Sequence, residues 1–393
     1  MRYMRAITAP LFLVSAVIGF GARVVAQSSA VGELKNLNAV TTAVPFLRIG
    51  PDARSGSMGD VGIGITPDPN GWYYNPAKMA FAVNDMGLSI TYTPWLKALV
   101  QDIYLASAYG YKRIDPMQTI GASLRYFSLG VLQFTTDSGE HIGDYSPNEF
   151  ALDAGYARKL TDMLSTGIML RFIYSDLASG YFVDQVKVKP GMTAAADFSL
   201  YYEQKDLTLG EYKAQIGAGL NISNIGAKIT YTSDAVNKDF IPTNLGIGSA
   251  LNIIIDEYNE FMIGLEFNKL LVPTPDTIAI EEWKGVPVVR GMMNSFSDAP
   301  GGMREELNEI MYSIGAEYWY DRQFAVRAGY FNEHTTKGNR KFFTVGVGVK
   351  YNIFGLNFAY LVPASGQNNP LDNTLRFSLL FDFEALKKKD KAG

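Results

Sequence analysis

The sequence predicts an all-β fold: an antiparallel transmembrane β-barrel of about fourteen strands with an N-terminal luminal plug. Three observations predict it. Most of the chain alternates apolar and polar residues with period two, as strands with one apolar face do. The alternating stretches mostly run 10–13 residues; a tilted barrel strand needs about 9–11 to cross a membrane, whereas globular strands average about 5–6. The connections alternate between tight turns and long loops, which is the arrangement of bacterial outer-membrane barrels.

Taken from the N-terminus, Arg2 and Arg5 form a positive region, Ala6 to Phe20 an apolar stretch, and Val24, Val25 and Ala26 a small-residue cleavage site. Residues 1–26 therefore read as a secretory signal peptide cut before Gln27, too short in its apolar part to span a bilayer as a helix. The chain has no cysteine, so it carries no lipoprotein anchor, disulfide or thiolate chemistry. Hydrophobic residues make up 47% and aromatics 13%, with only 19% charged against about 25% in soluble proteins. No mature segment has 18 consecutive apolar residues, which excludes a transmembrane helix. The net charge of −4 gives no nucleic-acid footprint.

Residues 27–85 carry many glycines, among them Gly50, Gly56, Gly59, Gly62, Gly64 and Gly71, and several prolines. They are too irregular for wall strands. A barrel of about eight strands is filled by its own side chains and one of about sixteen leaves an aqueous channel. A wall of intermediate size would leak, so this segment is placed in the lumen as a plug or hatch; the alternative is a periplasmic tail.

Residues 86–384 form the barrel, with strands expected near 87–94, 101–111, 118–129, 148–159, 163–175, 193–203, 211–223, 243–254, 258–270, 309–321, 323–333, 341–352, 354–363 and 373–384. On the segment at 163–175, Ile168, Leu170, Phe172 and Tyr174 oppose Gly167, Met169 and Arg171. On the segment at 341–352, Phe343, Val345, Val347 and Val349 oppose Thr344, Gly346 and Gly348. Arg125, Asp153, Arg171, Asp197, Lys213, Glu266, Glu317, Arg327, Lys350, Arg376 and Asp382 mostly share the face of Gly, Ser and Asn. Charges facing lipid at the midplane would cost about 2–4 kcal/mol each, so this face is a polar lumen of mixed sign. Both chain ends fall on the short-turn side, which puts the long loops outside the cell. Residues 385–393 are a basic periplasmic tail.

Catalytic chemistry is missing from the pattern. The two histidines, His141 and His334, lie in loops, and no zinc set, nucleophile elbow, phosphate-binding loop or calcium loop occurs. No enzyme, metal or cofactor is expected. What remains is transport, scaffolding or binding. The long loops are unusually apolar: Tyr181 and Phe182 in one, Phe240 in a second, and Trp283, Met292, Met293 and Phe296 in the longest. Apolar exposed loops suggest partner or cargo surfaces, or a lid formed by packing on one another.

The run Pro45-Phe46-Leu47-Arg48-Ile49-Gly50-Pro51-Asp52-Ala53-Arg54-Ser55-Gly56-Ser57-Met58-Gly59 leads into Asn75-Pro76-Ala77. It resembles the plug region of the FadL-like outer-membrane transporters and, within them, the PorV family of the type IX secretion system of Bacteroidetes. The resemblance assigns Met58, Gly59, Asn75, Pro76 and Ala77 to plug architecture. It implies a non-enzymatic protein that receives secreted cargo from a very large translocon barrel through the cargo's C-terminal signal domain. It further implies delivery to a cell-surface attachment complex, whose sortase-like protein joins cargo to lipopolysaccharide. Outer-membrane lipid is then a further contact. The alternative is a FadL-like transporter of fatty acids or other hydrophobic small molecules, with Met169, Ile173, Phe127 and Leu380 lining its pocket.

Overall fold

The computed structural model describes residues 38–95, 102–135, 140–183, 186–232, 238–274, 285–364 and 374–383. Residues 1–26, expected to be a signal peptide, residues 385–393, expected to be a basic tail, and Trp283 lie outside the described residues.

Fourteen antiparallel strands close into one barrel. In chain order they are β1 (Met86–Pro94), β2 (Ile103–Asp115), β3 (Gln118–Leu129), β4 (Asn148–Lys159), β5 (Leu164–Asp176), β6 (Gly191–Leu209) and β7 (Tyr212–Gly226). They continue as β8 (Asn244–Ile254), β9 (Asn259–Leu270), β10 (Met311–Tyr320), β11 (Phe324–Asn332), β12 (Lys341–Tyr351), β13 (Phe354–Pro363) and β14 (Leu375–Asp382). Each pairs with its sequence neighbours, and β14 closes on β1 in a register running from Gly87 opposite Asp382 to Tyr92 opposite Phe377. All fourteen expected segments are present.

Lipid on one side and a packed lumen on the other keep the period at two. Leu170 is 63% exposed on the outer face of β5, while its neighbours Met169 and Arg171 are buried inside. Val345 and Val347 of β12 face out, and Thr344 is buried. Aromatic pairs ring both ends of the wall: Tyr92, Tyr104 and Tyr126 toward the long loops, Phe354, Phe381 and Phe383 toward the short turns. Such girdles mark the two membrane interfaces.

The structure departs from the alternation in β6, which extends to Leu209 with register shifts against β7 at Ala196/Phe198 and Gln204/Leu207. These are bulges, which add a residue and re-aim the side chains after it. The long loops also hold short regular elements beyond the fourteen expected segments. Two small ribbons pair Leu132–Thr135 with His141–Tyr145 and Phe182–Val183 with Val186–Lys187.

The described residues ahead of β1, 38–85, run inside the barrel. A 3₁₀ turn at Pro45–Arg48 buries Phe46 and Leu47, and α1 (Ala53–Gly56), α2 (Gly71–Tyr74) and a second 3₁₀ turn at Pro76–Phe81 are buried almost throughout. The loop between β9 and β10 carries α3 (Val288–Asn294) and α4 (Met303–Asn308).

Candidate partner surface and luminal cavity

The luminal segment is held by charge and by close backbone approach. Asp52 caps α1 by accepting from Ser55 N–H, and Ala53 N–H donates to Ser378 Oγ of β14 at 2.8 Å. From the first turn of α1, Arg54 donates twice to Glu317 of β10, at 2.8 and 3.0 Å, and once to Asp68 at 3.0 Å. Arg327 of β11 donates to the same Glu317 at 2.6 Å. Glu266 of β9 accepts from the backbone N–H groups of Gly62 and Ile63, both at 2.8 Å. Arg376 of β14 pairs with Asp60. A second buried set within the wall joins Arg171 to Asp153 and Asp197. The charges read from the sequence as luminal thus neutralise one another or the luminal segment, as buried charges must. Lys350 and Asp382 pair at the periplasmic rim, and Lys213 is exposed.

The motif residues have structural positions. Met58 is fully buried and packs with Val61, Ile65, Ala250 and Met262. Gly59 sits at φ +69° with the backbone of Tyr330 so near that a Cβ would lie 2.6 Å from its carbonyl oxygen. Only glycine fits both constraints. Asn75 Oδ1 accepts from Ala77 N–H and its Nδ2 donates to Leu200 O, which fixes the turn through Pro76 to the inner face of β6. Pro76 and Ala77 are buried there.

Between this segment and the wall lies a cavity of about 310 Å³. One side is apolar, with Trp95, Phe331, Phe342 and Leu361; the other presents Asn221, Asn244, Asn268 and Arg171. Arg48 and Arg340 both approach Glu333, at 3.7 and 2.7 Å. Of the residues read as pocket-lining, Phe127 borders this cavity. Ile173 packs in the same apolar cluster as Phe127, Phe46 and Leu47, Met169 packs near Trp72, and Leu380 is half-buried on β14.

The most exposed apolar surface among the described loops is on α3, α4 and the turn between them. Val289 and Met293 are each 70% exposed, Met303 71%, Leu307 60% and Phe296 46%. Val289 and Met293 are four apart on one helix, as are Met303 and Leu307, so each pair shares a face. The opposite side is anchored. Gly291 lies against Pro273 and Phe240. Glu306 and Glu309, both buried, take Lys269 between them, and Glu309 also accepts from Thr274 and Lys337. Glu305 accepts from Lys337 at 2.6 Å. Burial pushes Glu305 up, but the Lys337 ammonium and the Gly301 N–H outweigh it and hold it below the ordinary carboxylate value. The acidic side chains of α4 turn inward and the apolar ones outward.

Three of the apolar loop residues expected to face a partner are buried or half-buried: Phe240, Met292 and Tyr181. Phe240 is only 3% exposed: it packs with Val272 beneath α3, with the Lys228 ammonium 3.9 Å from its ring centre. A loop phenylalanine has the same sequence signature whether it faces out or docks its own loop. Met292 is half-buried on α3. Tyr181 is half-buried, edge-on to Tyr145 at 5.6 Å. Phe182 opens its ribbon, and its side chain lies outside the described residues. Met293 and Phe296 stand out from the surface as expected. Val289, Met303 and Leu307 were not singled out as site residues. The i, i+4 spacing of Val289/Met293 and Met303/Leu307 was the available signal. Among the described residues, no group of three or more His, Cys, Asp or Glu could hold a metal ion.

A model of the family described as type IX secretion system protein PorV matches residues 33–277. No curated relative matches the chain. Among solved structures, the chain is similar to the Pseudomonas putida toluene transporter TodX, with 14% identity over 84% of this chain and 96% of that one and a TM-score of 0.48. It is similar also to a Pseudomonas aeruginosa FadL homologue, with 12% identity over 88% and 99% and a TM-score of 0.44. It is similar too to the Ralstonia pickettii toluene transporter TbuX, with 12% identity over 88% of this chain and 97% of that one and a TM-score of 0.45.

Proposed function

The chain belongs to the PorV family of type IX secretion system proteins, and from that premise we propose that it receives secreted cargo at the outer membrane and passes it on at the cell surface. The coarser part is plain: this is an outer-membrane β-barrel of a secretion system, from a family that is not one of enzymes. The finer part is our reading. The cargo's C-terminal signal domain is taken from the large translocon barrel and delivered to an attachment complex with a sortase-like protein, with no chemistry done by this chain.

The observation that carries this reading is the outward apolar face of α3 and α4 on an ion-paired base. A large exposed apolar patch on an ordered support is the form of a partner site, and methionines adapt to more than one partner. Tyr181, Phe182 and Trp283 are proposed as further partner contacts from the long loops. Met58, Gly59, Asn75, Pro76 and Ala77 keep the luminal segment in place and the barrel closed to solutes.

The test is a mild-detergent pull-down of the tagged protein from its own outer membrane, with protein and lipid mass spectrometry. We expect a giant barrel, a sortase-like protein or secreted proteins sharing a C-terminal domain. The double variant Met293→Asp, Phe296→Asp should lower their recovery at least about tenfold, since central interface anchors are each worth about 2 kcal/mol or more. A second reading, transport of a hydrophobic small molecule, is favoured by the 310 Å³ cavity, where two arginines stand beside Phe331 and Phe342. A lone barrel recovered with stoichiometric fatty acid would establish that reading and end the first.

A further inference from the structure

The first described stretch of chain, Asn38–Ile49, is bonded to three separate extracellular loops. Asn38 N–H donates to Thr336 O at 3.0 Å in the β11–β12 loop, and Asn38 Nδ2 to Glu305 Oε1 at 3.1 Å on α4. Ala43 N–H donates to Phe240 O at 2.9 Å in the β7–β8 loop. Val40 packs against the cluster of Phe240 and Val272 that also seats Val286 and Val288 at the start of α3. Farther on, Leu47 O accepts from Tyr73 Oη of α2 at 3.2 Å, and Phe46 stacks on Phe127 of β3. The stretch is therefore a strap between the luminal segment and the underside of α3 and α4.

We propose that this strap is the positioning element of the α3–α4 surface: it holds the two helices apolar side outward without contributing to the exposed face. Helices of seven and six residues are far below the roughly 12–15 at which an isolated helix is even marginal in water. Their order must come from tertiary contacts. Some of those come from the wall, through Lys269, but the strap supplies an apolar side chain beneath α3 and a hydrogen bond to the carboxylate that turns α4 inward. A segment that looks from its burial like part of the lumen filling thus serves the outside of the molecule. The proposal rests on the reading of α3 and α4 as a partner surface only for its purpose; the positioning itself is testable without any partner.

The experiment is hydrogen exchange on the full-length purified barrel, comparing wild type with Val40→Asp and with Ala43→Pro. The first puts a charge into the Phe240 cluster, and the second removes the N–H that bonds Phe240 O. Both are expected to speed exchange across 288–308 at least tenfold while the amides of β1–β14 keep their wild-type rates. The conservative Val40→Ile should restore the slow rates. Unchanged exchange at 288–308 in both variants overturns the proposal. So does loosening spread through the whole wall, which would make the strap ordinary lumen packing. Loosening confined to 288–308 with partner recovery intact supports the strap and counts instead against the partner reading of α3 and α4.

Discussion

Glu317 shows what a single luminal carboxylate does here. It faces two guanidinium groups, Arg54 from the luminal segment and Arg327 from the next strand, and all three are buried. Replacing Glu317 by Ala leaves both cations without their shared counter-charge. Breaking a buried pair in this way costs about 3–5 kcal/mol. The thermal transition that converts the compact barrel to the unfolded form on cold versus boiled gel samples should fall accordingly. Gly59→Ala tests a different force. A left-handed backbone for a non-glycine residue costs on the order of 1–3 kcal/mol, and the added methyl also meets Tyr330. The expected result is a displaced luminal segment, read as faster proteolysis within 50–65 while the strand fragments stay protected.

The elements differ in how far the sequence foretold them. Strands were legible because each has lipid on one side and a packed lumen on the other, so every residue's chemistry reports its face. Leu170 and Arg171 are the plainest pair. The bulges of β6 were not legible, because a one-residue slip leaves composition unchanged. Neither were α3 and α4: at seven and six residues they show barely two turns of periodicity, and their apolar side faces out. The luminal segment was visible as a glycine-rich run, but its partners Glu266, Glu317 and Arg376 lie hundreds of residues away in sequence and carry no local signal. At this scale the loops also carry a pH prediction. Burial pushes Glu333 up, yet the Arg340 guanidinium prevails and holds it, like Glu305, below the ordinary value of 4.5. A depressed carboxylate stabilises the fold at pH values above 4.5, and that contribution is lost as pH falls through the lower folded value. Asp298, raised by burial, acts in the opposite sense and partly offsets the loss. Limited proteolysis with an acid-active protease should therefore cut the 333–340 and 301–309 loops faster at pH 3 than at pH 5, with the strands intact at both.

For the whole molecule, the order of the chain has a consequence for how it is made. The wall is sealed where β1 meets β14, the two ends of the strand series. The luminal segment is tied at that same seam: Ala53 to Ser378, Asp60 to Arg376, and Pro51 O to Thr93 Oγ1. The segment is bonded to extracellular loops at its start and runs into β1 at its end. A finished cylinder offers no way to install such a piece afterwards. It has to be in place while the sheet is still open, so the last strand to arrive zips up against the filling as well as against the first strand. Residues 38–85 are thus the core on which the sheet closes.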